Sequence, residues 1–390
     1  QQVVSPSNLL IGPPLVLLTS VALIAGFLLL LSEAAGGLLS PLFALPVRWS
    51  LALCESLVDG AERLPGSYWY VGEPAAWWLA GFYLLLLAVL ASEAVRRRWR
   101  ALAPAGLAWC CVGLVGGAAR PAADGLRVTF LAVGHGGCTV IETPDGRALL
   151  YDAGALTGPD VARRQIAPYL WSRGIRHLDE VFLSHADLDH FNGFEELLRR
   201  FAIRQVTTTP SFADKSAPGV RRIVDLWRAR GIPVRHARAG DRFTAGEVEL
   251  DVLHPPQEGP AGPENVRSLV LQIRHGGHSV LLTGDLEGPG LAQVLARPVS
   301  PVDVLMAPHH GSKSANPPVL VEWARPGLVV ACQGPAPGGG AALDPFASRA
   351  GPFLGTGVHG AVTVVSRADG LTVETFVSRR RYVLGSPGGP

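Results

Sequence analysis

Hydrophobic and polar positions divide the chain into two unlike parts. Residues 9–31, LLIGPPLVLLTSVALIAGFLLLL, run without a charge, long enough to cross roughly 30 Å of hydrocarbon as a helix. A second uncharged run, 77–92, opens on Trp77 and Trp78, a pair suited to a membrane interface. A third, weaker run covers 101–118. Residues 42–63 are apolar but interrupted by Arg48, Glu55, Asp59, Glu62 and Arg63, which predicts an amphipathic helix lying at the interface or packed in a bundle. Between the last two runs stands EAVRRRWR, with Arg96, Arg97, Arg98 and Arg100. The positive-inside rule puts that short loop in the cytoplasm. Three spans follow, and everything after residue 119 is expected on the non-cytoplasmic side of the inner or plasma membrane. If 101–118 is a buried helix rather than a span, the remainder lies inside.

From Leu126 the pattern changes to short strands and turns. LRVTFLAVG reads as a strand, and CTVIETPDGRALLYDAG as a strand pair joined by Pro144-Asp145-Gly146. VARRQIAPYLWSRG, FEELLRRF and GVRRIVDLWRARG predict helices, the first and third closed by Gly174 and Gly231. DEVFLSH is a fully buried strand. SLVLQIRHGGHSVLLTGD turns over Gly276-Gly277 and ends in Asp285, and VDVLMAPHHGS is a strand ending in His309 and His310. A terminal hairpin turns at Asp369-Gly370, and 334–345 reads as a loop. Hairpins mixed with strand–helix units imply an α/β fold of two mixed sheets covered by helices. The expected domains are therefore a helical membrane region, 1–118, and a hydrolase-like domain, 119–390.

Composition sharpens this division. Of 390 residues, 48% are hydrophobic and 17% charged, well below the usual quarter charged. Residues 1–118 hold six arginines and six acidic residues, so the net charge of +2 belongs to the remainder. That excludes a polybasic nucleic-acid binder. Five cysteines, Cys54, Cys110, Cys111, Cys138 and Cys332, form no C-x-x-C and no disulfide spacing, which argues against a thiolate zinc site. The chain opens on Gln1 rather than Met, as a processed protein or a piece of a longer one would, and no basic stretch precedes the first apolar run.

Three strands end in polar clusters. The densest is LSHADLDHFNG, where His185, Asp187, Asp189 and His190 follow a buried strand within six residues. Packing does not demand this, since Asp is almost never buried unless paired or metal-bound. The plain alternative is a solvated loop in which Asp189 or Asn192 caps the following helix. Imidazole with carboxylate suits Zn²⁺ or Mn²⁺, and more carboxylate favours Mn²⁺. With Asp285 bridging and His309 or His310 added, two divalent ions roughly 3.5–4 Å apart become the expected cofactors. Which histidine of the 309–310 pair ligates is open; the other touches substrate or supports the site. Ser312 and Lys313 could meet a phosphate or belong to an exposed polar loop. His177, His236, His254, His275, His278 and His359 read as surface or hydrogen-bonded histidines.

SHADLDH, LLTGD and APHHGS together resemble the metallo-β-lactamase superfamily, with Asp187 where that superfamily's H-x-H-x-D-H motif has its second histidine. FLAVGHGG, YDAG, ENVRSLVL and PHHGS resemble the C-terminal domain of the ComEC family of DNA-uptake channel proteins, and SNLLIGPPLVLL resembles the end of that family's membrane-embedded competence domain. The resemblance implies a metallo-β-lactamase-like αβ/βα sandwich. It implies that His185 and Asp187 hold one ion, Asp189 and His190 the second with His310 (or His309), and that Asp285 bridges. Asp189, Asp285 and His310 would be the catalytic group; His135, Asn265, Ser268, Ser312 and Lys313 would meet substrate. The superfamily's third-motif histidine falls on Asn265, Val266, Arg267 and Ser268, so no imidazole is there. The family's D-V-G-Q-G-D is also altered, to Ala132, His135 and Gly137 at its Asp, Gln and final Asp. The implied activity is metal-dependent hydrolysis of one strand of incoming DNA while the other passes inward. The implied partners are DNA, as single strand or duplex backbone, the membrane, and a preceding channel domain of the same or a longer chain. Two further readings remain: a hydrolase of a small ester, lactam or phosphodiester on the same scaffold, and a catalytically impaired DNA-binding module of the channel.

Overall fold

The computed structural model describes residues 3–64, 67, 69–70, 75–118, 124–335, 346 and 351–385. The chain divides into two units, Gln1–Ala119 and Arg120–Pro390. The loop expected over 334–345 lies, from 336 onward, outside the described residues.

The first unit is helical. Its helices are Ser7–Ala34, Ser40–Glu62, Ala76–Ala91, Glu93–Arg97 and Trp99–Ala118, and Val3–Val4 pairs with Trp69–Tyr70. Ser7–Ala34 is roughly 42 Å long at 1.5 Å per residue. It presents Leu9, Leu17, Ile24, Phe27 and Leu30 outward, as a surface solvated by hydrocarbon would. The segment expected at the interface is one 23-residue helix, and its Ser40–Ala61 portion is long and apolar enough to cross a membrane. Arg48 and Glu55 interrupt the apolar run without breaking the helix. Ala76–Ala91, expected as a span, has 16 residues, roughly 24 Å. It packs on Trp99–Ala118 through small residues: a Cβ on Gly81 would come within 2.4 Å of Trp109, and one on Gly113 within 2.1 Å of Trp78. Trp78 Nε1 donates to Trp109 O at 2.7 Å. Glycine lets the helices approach this closely.

The second unit is built on two sheets. Among the described residues one has nine strands, in spatial order Val234–His236, Val206–Thr208, Glu180–Leu183, Ala148–Tyr151, Thr139–Glu142, Leu126–Phe130, Val362–Arg367, Gly370–Thr375 and Arg381–Leu384. The other has seven: Arg242–Ala245, Val248–His254, Val270–His275, His278–Leu282, Val304–Met306, Leu328–Ala331 and Phe353–Gly355. Both are mixed. In the first, Ala148–Tyr151, Glu180–Leu183, Val206–Thr208 and Val234–His236 run parallel, and the rest pair antiparallel. In the second, the last four strands run parallel.

Alternation decides which residues meet. Leu126, Val128 and Phe130 of one sheet and Leu250, Leu271, Ile273, Val280, Leu282, Val304 and Met306 of the other form one buried cluster. The intervening residues Val270, Leu281, Leu305 and Val329 face the opposite side, where Leu291, Val294, Leu320 and Trp323 from helices Gly288–Leu295 and Pro318–Ala324 cover them. The layers are helix, sheet, sheet and helix: the α/β metallo-β-lactamase fold, preceded by helices. One expected helix differs. Residues 162–166 form a π-type turn before the α-helical Ala167–Ser172. Pro168 has no N–H for an ordinary helical bond, and Ala167 N bonds back to Ala162 O, five residues away.

Candidate metal centre

Two adjacent strands of the nine-stranded sheet and three adjacent strands of the seven-stranded sheet each deliver polar groups from the carboxyl end, the usual place for sites in α/β sheets. Asp152 follows Ala148–Tyr151, and His185 to His190 follow Glu180–Leu183. Asp285 follows His278–Leu282, His309 and His310 follow Val304–Met306, and Cys332 follows Leu328–Ala331. One atom each from Asp189, His190, Asp285 and His310 lies within 4.8 Å of the other three. His190 Nε2 is 3.1 Å from Asp285 Oδ1, and His310 Nε2 is 3.3 Å from Asp189 Oδ2 and 3.4 Å from Asp285 Oδ2.

The other ring nitrogens fix how these histidines are used. His190 Nδ1 lies 2.8 Å from Asp152 Oδ2, and His310 Nδ1 lies 2.9 Å from Cys332 O. Carboxylate and carbonyl only accept, so both Nδ1 atoms carry the proton. His185 Nδ1 lies 2.9 Å from Ser184 Oγ, which itself donates to Asp152 Oδ2 at 2.8 Å. Each histidine thus turns its Nε2 into the pocket. All three Nε2 atoms are buried with no hydrogen-bond partner. A buried polar atom left unpaired costs about 1–3 kcal/mol, and three converging beside carboxylates form a donor set for a cation. The residues present therefore fit a divalent metal.

Electrostatics agree. Burial pushes His190 and His310 down, but Asp285 and the other carboxylates outweigh it, leaving His190 well above its ordinary value and His310 at about 9. Burial pushes Asp285 up, but His190 and His310 hold it well below the carboxylate range. The pocket demands positive charge. Protons supply it when the imidazoles are doubly protonated; a divalent ion supplies it without them.

Asp152 was missed by sequence reasoning, although the signal was present in YDAG directly after a buried strand. It is wholly buried and sits at φ 61°. Its Oδ1 accepts from Ser184 N at 2.7 Å. It orients His190 and, through Ser184, His185, as carboxylates behind metal-binding histidines do. Gly137, at the position of a family Asp, lies against these groups: a Cβ there would stand 2.9 Å from His190 Nδ1 and 3.0 Å from Asp152. A carboxylate at 137 has no room in this arrangement.

The histidine pair is split. His309 and His310 both adopt left-handed φ, 49° and 55°, strained for non-glycine residues. The backbone there sends His310 inward and His309 to the rim, where His309 Nδ1 lies 3.0 Å from Glu287 Oε2 and its Nε2 is 3.8 Å from Asp285 Oδ2. His185 and Asp187 do not join the four-atom group. Asp187 Oδ2 is 3.5 Å from His185 Nε2, while its Oδ1 takes an ion pair from Lys215. The neighbouring His185 ring, then the Lys215 ammonium, holds Asp187 far below the carboxylate range.

The residues expected at substrate scatter. His135 is exposed, its ring centroid 4.7 Å from that of His310. Ser312 bonds Ser314 at 2.8 Å in the loop that also carries exposed Lys313. Asn265 Nδ2 donates to Glu287 Oε1 at 2.9 Å. Ser268 departs from expectation: it is wholly buried, and its carbonyl accepts from His254 Nδ1 at 2.8 Å. Leu269 N donates to Ser184 O at 2.8 Å. That bond brings the 268–269 segment beside the first motif but closes it off from solvent.

Comparison with known proteins agrees with both units. Residues 131–316 match the metallo-beta-lactamase superfamily, and residues 1–96 match the family described as competence protein. The chain is 27% identical over 346 residues to ComE operon protein 3 of Bacillus subtilis, covering 84% of this chain and 43% of that one. It is 30% identical over 209 residues to recombination protein 2 of Haemophilus influenzae, covering 53% and 24%. It is 28% identical over 260 residues to competence protein ComA of Neisseria gonorrhoeae, covering 64% and 33%. The chain thus spans less than half the length of each of these relatives. Among solved structures it is similar to CmlA, a diiron β-hydroxylase from Streptomyces venezuelae, with a TM-score of 0.40 at 16% identity over 77% of this chain and 65% of that one.

Proposed function

The chain belongs to the ComEC family of competence proteins, a competence region at 1–96 joined to a metallo-β-lactamase-superfamily domain over 131–316, and from that premise we propose that it is a membrane-anchored, metal-dependent hydrolase of DNA phosphodiesters acting during DNA uptake. The observation that carries the reading is the convergence of two buried imidazole Nε2 atoms, of His190 and His310, on the Asp189 and Asp285 carboxylates. No packing requirement accounts for that arrangement.

In this reading Asp189, His190, Asp285 and His310 would hold the ion. When bound, the metal neutralises charge on the phosphate oxygens and makes water a nucleophile near neutral pH. The chain's own groups position the reaction. Asp152 and the Cys332 carbonyl lock the rings of His190 and His310. Asp189 is the more accessible of the two central carboxylates, with 14% of its side chain exposed against 6% for Asp285, and it is the group placed to take a proton. His135, with its ring 4.7 Å from that of His310, and His309, at the rim beside Asp285, stand on the approach from solvent.

The arginines of the 93–100 segment support a side for the domain. If that segment lies in the cytoplasm, the helix Trp99–Ala118 leads outward, and the domain after it stands on the non-cytoplasmic face. The number of earlier spans does not alter this, so the crossing length of Ser40–Ala61 leaves it unchanged.

The test is Mn²⁺-dependent cleavage of single-stranded DNA by the full chain in detergent. Asp189→Ala and Asp285→Ala are each expected to abolish cleavage while the melting temperature stays close to that of the parent. Full cleavage in either variant overturns the metal mechanism. Hydrolysis of an ester or lactam with DNA untouched moves the substrate to the other class.

A further inference from the structure

We propose that this chain holds one divalent ion rather than two, and that the Lys215 ammonium occupies the place beside Asp187 where a second ion would sit. The inference rests on the metal-centre reading above and concerns how much of that centre is metal.

Lysine is scarce here. The chain carries 34 basic residues, of which only Lys215 and Lys313 are lysines. Everywhere else the cation is arginine, whose planar fork suits carboxylates bidentately; an ammonium is a compact point charge of nearly ionic size. Lys215 is spent on Asp187, the residue that replaces the superfamily's second motif histidine. Its Nζ donates to Asp187 Oδ1 and, at 2.8 Å, to the Ala186 carbonyl. A carboxylate oxygen and a backbone carbonyl are the kind of oxygen ligands that a hard cation takes.

Three independent features converge on the same place. The third-motif position carries buried Ser268, which leaves His185 and Asp187 without a third protein ligand of their own. The four-atom group excludes His185 and Asp187. The carboxylates are also each provided for: a single divalent ion would offset Asp189 and Asp285, the Lys215 ammonium pairs Asp187, and Asp152 is held by His190 and Ser184. A second divalent ion between His185 Nε2 and Asp187 Oδ2 would have to share the Asp187 carboxylate with the ammonium already on Oδ1. Of the three ammonium protons, two are committed to Ala186 and Asp187; the third is left for an oxygen of an anionic substrate, in the manner of a fixed cation.

Metal stoichiometry of the full chain in detergent, measured after removal of free Mn²⁺ and paired with electron paramagnetic resonance, tests the proposal. The parent is expected to bind one Mn²⁺ per chain with an uncoupled spectrum. Lys215→Ala, which frees Asp187 and opens the space, is expected to bind a second, weaker Mn²⁺ and to show exchange coupling between two ions. Lys215→Arg, which keeps the charge, is expected to remain at one. Two coupled ions in the parent, or one ion in a folded Lys215→Ala, overturns the proposal. The parent result decides the question even if Lys215→Ala fails to fold. A parent that binds no Mn²⁺ or Zn²⁺ overturns the metal-centre reading itself, an outcome distinct from either of these.

Discussion

At the scale of single residues, the site depends on groups that never touch a ligand. Asp152 fixes the His190 tautomer, so Asp152→Asn presents an amide where a carboxylate accepted the Nδ1 proton. Loss of such a partner typically costs 10–100-fold in metal affinity, and about that loss is expected by isothermal titration with Mn²⁺, with the fold retained. A pH dependence follows from His310. Its value in the metal-free fold is about 9 against an ordinary 6.5. Raised in the folded state, it contributes stability that is complete below 6.5 and lost as pH rises through about 9. The melting temperature of the chelator-treated chain should therefore fall across that window, while the Mn²⁺-loaded chain holds. Mn²⁺ affinity should rise over the same window, because His310 gives up a proton to bind. The residues named by the motifs were legible because ligands must be imidazole or carboxylate. Asp152 and Lys215 were harder, since one lies behind a ligand and the other reaches it across 28 residues of chain. Lysine scarcity was the available signal for Lys215. Ser268 was misread because sequence proximity to a motif does not show which way a buried side chain is closed off.

At the scale of elements, alternation did most of the specifying. Hairpins turning at 144–146, 276–277 and 369–370 fell where Gly follows a strand, because those turns need a residue tolerant of positive φ. What alternation leaves open is which of the two sheets each strand joins, since that depends on partners far along the chain. Pro168 shows local chemistry overriding pattern: the apolar spacing is helical, yet the missing N–H widens the turn before it. Helix Pro318–Ala324 has only seven residues and is too short to be stable alone. Its place is held by Leu320 and by Trp323, which is 5% exposed and donates through Nε1 to Arg297 O at 3.0 Å. Trp323→Ala is expected to cost about 3–5 kcal/mol. Differential scanning calorimetry of the full chain should show a fall of roughly 10 °C in one transition, with Mn²⁺ binding preserved at low temperature.

At the scale of the whole molecule, composition separates an apolar third from a more polar remainder, and the proposed cytoplasmic location of the arginine segment at 93–100 predicts the side of the remainder. A C-terminal alkaline phosphatase fusion to the full chain is expected to be active, and a green fluorescent protein fusion in the same position dark. The reverse pattern would put the hydrolase inside the cell. The centre draws on side chains and a carbonyl spread from Asp152 to Cys332. A ribosome-bound fragment ending before residue 332 lacks the carbonyl that holds the His310 ring. The centre is therefore complete only once the strand before Cys332 has docked, late in the synthesis of the domain. A centre assembled from segments this far apart is thereby silent until the domain has finished folding.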